Sequence, residues 1–258
     1  MMRVALSLAL VALQTLHLTI ARVSLTPPDR KLEITGSVSE VHLNNLQNGY
    51  DIIPTTNVGG PNGVEGLAGT GSVVFDETDG VKFLLGGQQN TNTAYYQFSG
   101  ATIGNWFDCA RGSFAFTVKS SHSWAARQGL ADHYLFYTQD DGGIVALFVI
   151  RVFASSPNRL KFEYGVCGSG TEFDVDAGQE DVVFGSGVSL AVEGIWNSST
   201  NSFSLKFNGS EVQSFFYNPT TMNWGSQSQF ILGANGGGST GYNSLDEYLK
   251  NFILRSLS

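Results

Sequence analysis

Two cysteines, six prolines and three methionines are all that 258 residues contain of these types, and only 14% of the chain is charged. Each scarcity excludes something. Cys109 and Cys167 are too few for a disulfide-rich scaffold, and they stand far apart with no histidine beside either, so they match no metal-binding spacing. Six prolines do not make a polyproline linker. The 14 lysines and arginines face 22 acids and form no cluster. The chain therefore lacks the basic footprint that neutralises phosphates, and nucleic acid is not an expected partner. Beyond residue 21 no apolar run approaches the ~18 or more residues of a spanning helix. No stretch there keeps an apolar helical period for three turns.

The one long apolar run is N-terminal. Arg3 is a short positive region, Val4 to Leu13 is apolar, and Thr19-Ile20-Ala21 offers a small-x-small cleavage site. Gln14, Thr15 and His17 interrupt the run, so residues 1–21 read as a secretion signal and the mature protein as secreted and extracellular, with no membrane partner. Cleavage after Ala21 leaves 13 basic and 22 acidic residues. In an oxidising compartment the two cysteines form one bridge or remain two thiols; the Cα separation that decides this is not written in a sequence.

Glycine (31 residues) and phenylalanine (18) are plentiful, and 42% of the chain is hydrophobic. Phenylalanine supplies strands and a core, and glycine supplies the positive-φ turns between them. Residues 22–69 read as an extended lead-in, with Lys31–Thr35 and Val41–Leu43 as short strands at most. From Gly71 onward strands recur: Gly71–Phe75, Val81–Leu85, Ala94–Phe98, Ser113–Lys119, Tyr134–Tyr137, Ile144–Phe153, Leu160–Val166, Val188–Trp196, Ser202–Phe207, Glu211–Tyr217, Gln229–Gly233 and Tyr248–Leu254. Phe114–Val118 and Phe203–Phe207 alternate strictly and so have one buried face each. Asp140-Asp-Gly-Gly143 and Asn197–Asn201 read as hairpin loops. Many short strands joined by turns predict an all-β, antiparallel two-sheet jelly-roll sandwich over residues 70–258.

Three pieces of the last third, with two earlier strands, carry a resemblance. Val188–Trp196 ends in an aromatic residue, Leu205-Lys-Phe-Asn-Gly209 closes on Asn-Gly, and Asp246-Glu247 precedes Tyr248–Leu254. Gly71–Asp76 and Ser113–Lys119 fall where an opening strand and an aromatic-rich strand belong. In this order and spacing the chain, over roughly residues 70–256, resembles the concanavalin A-like lectin/glucanase superfamily, and within it the LamG-like jelly rolls of secreted bacterial proteins. Members include lectins, adhesive modules and polysaccharide-cleaving enzymes, so the fold leaves function open.

The resemblance implies catalytic candidates in Glu172-Phe-Asp174-Val-Asp176. Laminarinase-type relatives place a nucleophilic Glu, a tuning Asp and an acid/base Glu on one strand, which makes Glu172 nucleophile and Asp176 acid/base here. The departures are that Asp176 is one methylene short and that residue 177 is Ala. The same acids, running into Gln179-Glu180-Asp181, also read as a solvated edge. Calcium is the other candidate, since Asp76-Glu77-Asp79, Asp140-Asp141 and Asp246-Glu247 offer hard oxygens near strand ends. Turn formation accounts equally for Asp140 and Asp141, and bracing the last strand accounts for Asp246. Sugar rings stack on exposed aromatics, for which Tyr242, Trp224, Trp106 and Trp124 stand in loops, whereas Trp196 reads as core. His42, His122 and His133 lie apart, and no Gly-x-Ser-x-Gly elbow is present. Asn197-Ser-Ser199 and Asn208-Gly-Ser210 match the glycan acceptor pattern. The expected function is non-catalytic recognition of carbohydrate or another extracellular ligand. The alternatives are a glycosidase or lyase of the same fold, and an adhesion module that binds protein.

Overall fold

The computed structural model describes residues 39–43, 64–68, 72–76, 78–84, 93–99, 108–130, 132–140, 143–153, 158–223, 228–234 and 245–256. The signal segment, Trp106, Asp141, Trp224 and Tyr242 lie outside them.

Two antiparallel sheets are packed face to face, a jelly-roll sandwich. The first sheet runs, edge to edge, β13 (Ser210–Phe216), β12 (Ser202–Phe207), β11 (Ser189–Asn197), β6 (Arg111–Lys119), β15 (Tyr248–Ser256), β4 (Gly80–Leu84) and β3 (Ser72–Asp76). The far end of β15 also pairs with β1 (Ser39–Leu43). The second sheet runs β10 (Ser169–Asp174), β9 (Arg159–Val166), β8 (Gly143–Phe153), β7 (His133–Asp140), β14 (Gln229–Leu232), β5 (Thr93–Ser99) and β2 (Val64–Ala68). The sequence reading begins the body near Thr70, but β1 and β2 come from the segment before it, and each sheet takes one of them.

The alternation seen in the sequence is the alternation of burial. Along β6, Phe114, Phe116 and Val118 are buried while Ala115, Thr117 and Lys119 face outward; β12 buries Phe203, Leu205 and Phe207 in the same way. The core between the sheets is built largely of phenylalanine. Phe114 meets Phe136 of the second sheet edge-on at 5.2 Å, and Phe116 meets Phe148 edge-on at 5.0 Å, an edge-to-face geometry that aromatic quadrupoles prefer. Gly194 sits inward on β11, where an added Cβ would fall 2.3 Å from the ring of Phe114. The strand needs a glycine there because the ring occupies the side-chain space.

Asp140 pairs with Gly143, which leaves the two-residue loop expected of Asp140–Gly143. Asn208-Gly209 closes β12–β13 with φ of 50° and 82°, the positive pair that a primed turn requires. The β9–β10 turn is Cys167-Gly168, at φ 50° and 72°, because Val166 already pairs with Ser169. Two one-turn helices, α1 (Trp124–Arg127) and α2 (Glu180–Phe184), also appear. Of the acids of α2, Asp181 is exposed as a solvated edge requires, but Glu180 is not. Glu180 is buried and accepts the Gly178 N–H at 2.7 Å, and Asp181 accepts the Trp124 N–H at 2.7 Å, joining the two helices.

Candidate functional site

The central strand β6 ends in a different construction on each side. At its start, Cys109 and Cys167 form a disulfide with Cα atoms 5.8 Å apart. The bridge ties the lead into β6 to the β9–β10 turn, and so one sheet to the other. Two buried aromatics seal this end with neutral hydrogen bonds. Trp196 Nε1 donates to the Asp108 carbonyl and Tyr217 OH to the Cys109 carbonyl, both at 2.8 Å. Burial holds the Tyr217 phenol well above its ordinary range, with the Asp108 charge adding to the effect.

The other end of β6 is ionic. Glu247, just before β15, is wholly buried, as are Arg127 of α1 and His133 at the start of β7. Arg127 Nη2 donates to Glu247 Oε1 at 2.5 Å and to Ser120 Oγ at 2.8 Å; the Ser121 N–H donates to Glu247 Oε2. His133 Nδ1 lies 3.4 Å from both Glu247 Oε1 and Arg127 Nη1, and the guanidinium stacks on Phe184 of α2 at 4.9 Å. Burial pushes the Glu247 carboxyl up, but His133 and Arg127 outweigh it and the group stays below its ordinary range. Burial pulls His133 down, more than Glu247 draws it up, so it is neutral. Within this cluster His133 Nε2, Arg127 Nε and Ser121 Oγ are buried without hydrogen-bond partners.

Asp246, a metal candidate in the sequence, belongs to this end. It turns the chain into β15 at φ 48°, its N–H donates to the Phe83 carbonyl at 3.1 Å, and its carboxylate faces His122 Nε2 at 3.0 Å and Lys82 at 3.8 Å. That is the bracing role. Burial pushes its carboxyl up, yet the His122 hydrogen bond and the Lys82 charge hold it below the ordinary value. Among the other calcium candidates, Asp76 Oδ1 accepts the N–H groups of Thr78 and Asp79 at 2.8 Å, while Asp79 binds Lys119. Asp140 ends β7, and nothing is described of its side chain. No three His, Cys, Asp or Glu side chains among the described residues are grouped to hold a metal ion.

Of the acids singled out as catalytic, Glu172 and Asp174 lie on β10, at the edge of the second sheet. Lys161 of β9 takes both Glu172 Oε2 at 2.7 Å and Asp174 Oδ1 at 3.1 Å, so one ammonium is shared by two carboxylates. The Glu172 hydrogen bond leads in raising Lys161 above its ordinary value. Asp176 lies exposed beyond the strand, after the buried Val175. Trp196 is core, as expected. Trp124 opens α1 and packs against the core.

The described residues also form an open trough on the outer face of the first sheet, which no motif marks. It encloses about 250 Å³ over β6, β11 and β15 and is lined by Ala115, Thr117, Ala191, Glu193, Gly209 and Asn251. Thr117 pairs with Ala191 and Ala115 with Glu193, so small side chains form the floor. Glu193 is matched by Lys206 of β12 at 3.1 Å. Asn251 stands at a β-bulge: Lys250 pairs with Thr117 and Ile253 with Ala115, leaving two residues of β15 against Phe116 alone. Leu249 points inward and Lys250 outward, so strict alternation would send residue 251 into the core. The bulge, with Asn251 at φ 54°, leaves it exposed and buries Phe252 instead. The one sequence signal is the apolar spacing Leu249, Phe252, Leu254, which skips a residue where the bulge falls.

No family model matches the chain, and no curated protein does. Solved structures do share its fold. A botulinum neurotoxin type C structure, described with cell entry dependent on two ganglioside molecules, matches with a TM-score of 0.53 and 12% identity. The binding domain of botulinum neurotoxin DC in complex with rat synaptotagmin II matches with a TM-score of 0.51 and 13% identity. Each match covers 83% of this chain and 46% of the other, so this chain spans a little under half the length of those it resembles. At such identity the likeness carries the jelly-roll, lectin-like architecture and nothing finer.

Proposed function

We propose that the protein is a secreted, non-catalytic recognition module of LamG-like kind that binds carbohydrate or another extracellular ligand. The observation that carries this reading is the trough: a solvent-open recess over small side chains in the middle of a sheet, with polar groups around it. Its volume of about 250 Å³ falls just under the ~300–1,000 Å³ usual for small-ligand pockets. The disulfide suits an oxidising compartment. The carboxylates nearest to a glycosidase pattern sit on the other sheet, bound to one lysine. Proteins with this fold include one dependent on gangliosides and one bound to a synaptotagmin, which is why sugar and protein ligands both belong to the proposal.

The test is a binding screen of the intact mature protein on a glycan array and on immobilised extracellular proteins, with calcium and with chelator. The chelator arm addresses Asp140 and Asp141, two adjacent carboxylates at a hairpin. Binding to a defined ligand with no cleavage of β-glucan or alginate is expected. Silence on both panels, or turnover of a polysaccharide, overturns the reading.

A further inference from the structure

We propose that the trough is a subsite for one uncharged pyranose ring and that the carboxamide of Asn251 reads its hydroxyls. This rests on the recognition reading above and deepens it.

The floor and the rim ask for different chemistry. Ala115, Ala191 and Gly209 carry no bulk, so a flat ring can lie close to the sheet with its C–H face on methyl groups. Of the side chains lining the trough only Glu193 is charged, and its carboxylate has Lys206 Nζ at 3.1 Å. Lys250 is not part of the lining and its Nζ is turned to the Thr78 carbonyl at 2.8 Å, so the lining itself presents no unmatched charge to an ionised ligand. What remains unengaged is neutral and two-sided. The Thr117 hydroxyl and the Asn251 carboxamide have no hydrogen-bond partner among the described residues, and each both donates and accepts. Sugar hydroxyls have the same double character, so adjacent hydroxyls on one ring edge match these two groups.

Asn251 is the unusual member. Its positive φ is one that glycine adopts without steric penalty. The asparagine adds a carboxamide that the described fold does not use, and the bulge turns it out beside the trough. Bulges that re-aim one side chain are over-represented next to functional sites.

The experiment is saturation-transfer NMR and titration of the intact mature protein with neutral methyl hexosides and their short oligomers, repeated on three variants. Asn251→Gly keeps the backbone conformation and removes the carboxamide. Thr117→Val keeps the shape and removes the hydroxyl. Ala191→Tyr fills the trough from an exposed position. A neutral sugar should bind the parent. Asn251→Gly should weaken it at least tenfold with an unchanged melting temperature, Thr117→Val should weaken it several-fold, and Ala191→Tyr should abolish it. Undiminished sugar binding in Asn251→Gly and Ala191→Tyr moves the site elsewhere and overturns this assignment while the recognition reading stands. Binding of the parent to protein or anionic glycan alone overturns the ligand class and also leaves that reading standing. A parent that binds nothing overturns both.

Discussion

The two ends of β6 do the same mechanical work by opposite means. At the Arg111 end a covalent bridge and the neutral donors of Trp196 and Tyr217 join the sheets. At the Lys119 end the joint is a buried carboxylate held by Arg127, His133 and a backbone N–H. A disulfide acts largely by restricting the unfolded chain, whatever the pH below thiol ionisation. A buried ion pair acts only in the folded state, and only while each partner keeps its charge and its neighbours. One end should therefore be sensitive to reductant, the other to proton concentration and to truncation of a single side chain.

The largest expected effect breaks the ionic end. Arg127→Met leaves Glu247 charged and buried without its main partner, and should cost about 3–5 kcal/mol in urea unfolding. Replacing Arg127 and Glu247 together by Met should cost clearly less than the single change, because no orphaned charge remains. Equal losses in the two variants would show that the pair does not act as a unit. At the covalent end, changing Cys109 and Cys167 to Ser together should cost about 2–4 kcal/mol. A melting temperature indifferent to this change would remove the bridge from the comparison.

Next comes pH. Burial holds His133 neutral and below its ordinary 6.5 in the fold. The unfolded chain therefore binds a proton that the folded one refuses, and stability falls as pH drops below about 6.5, by up to about 1.4 kcal/mol per unit, with no His133 contribution above it. Glu247 and Asp246 are held below 4.5 and 3.8, so what they contribute is retained until pH falls through that lower range. His133→Gln should flatten the slope between pH 6.5 and 5, while the cysteine variant should keep it; a slope unchanged in His133→Gln would assign the titration elsewhere. The smallest effect is at the covalent end. Tyr217→Phe leaves the Cys109 carbonyl without its phenol donor and should cost about 0.5–1.5 kcal/mol, read from denaturation midpoints.

Much of the sandwich was legible in the sequence because a period of two is a local property. Phe114–Val118 and Phe203–Phe207 announce a buried face whatever they pack on, and Asp140–Gly143 announces its hairpin through the φ values its residues tolerate. The candidate site was far less legible. His122 and His133 look isolated in sequence, yet their rings come within 5.8 Å of each other beside Asp246 and Glu247. The crossover through α1 brings them there, and a one-turn helix leaves no periodic trace. Glu180 read as a solvated acid like its exposed neighbour Asp181, because a buried carboxylate that accepts a backbone N–H is written like one that faces water. Asn251 hid inside an apolar strand, since a bulge shows only as one skipped position.

By itself the sequence determined most of the strands, the apolar face of those that alternate strictly and the hairpin at Asp140–Gly143, because alternation and backbone preference act between near neighbours. Tertiary structure decided that the two cysteine sulfurs meet, which carboxylates are buried with a cation and which share a lysine at a sheet edge. It also decided that β6, β11 and β15 lie side by side with small residues facing out. Those outcomes depend on pairing strands far apart in the chain, and a side chain's charge, exposure and free hydrogen-bonding capacity are set by the neighbours that such pairing supplies.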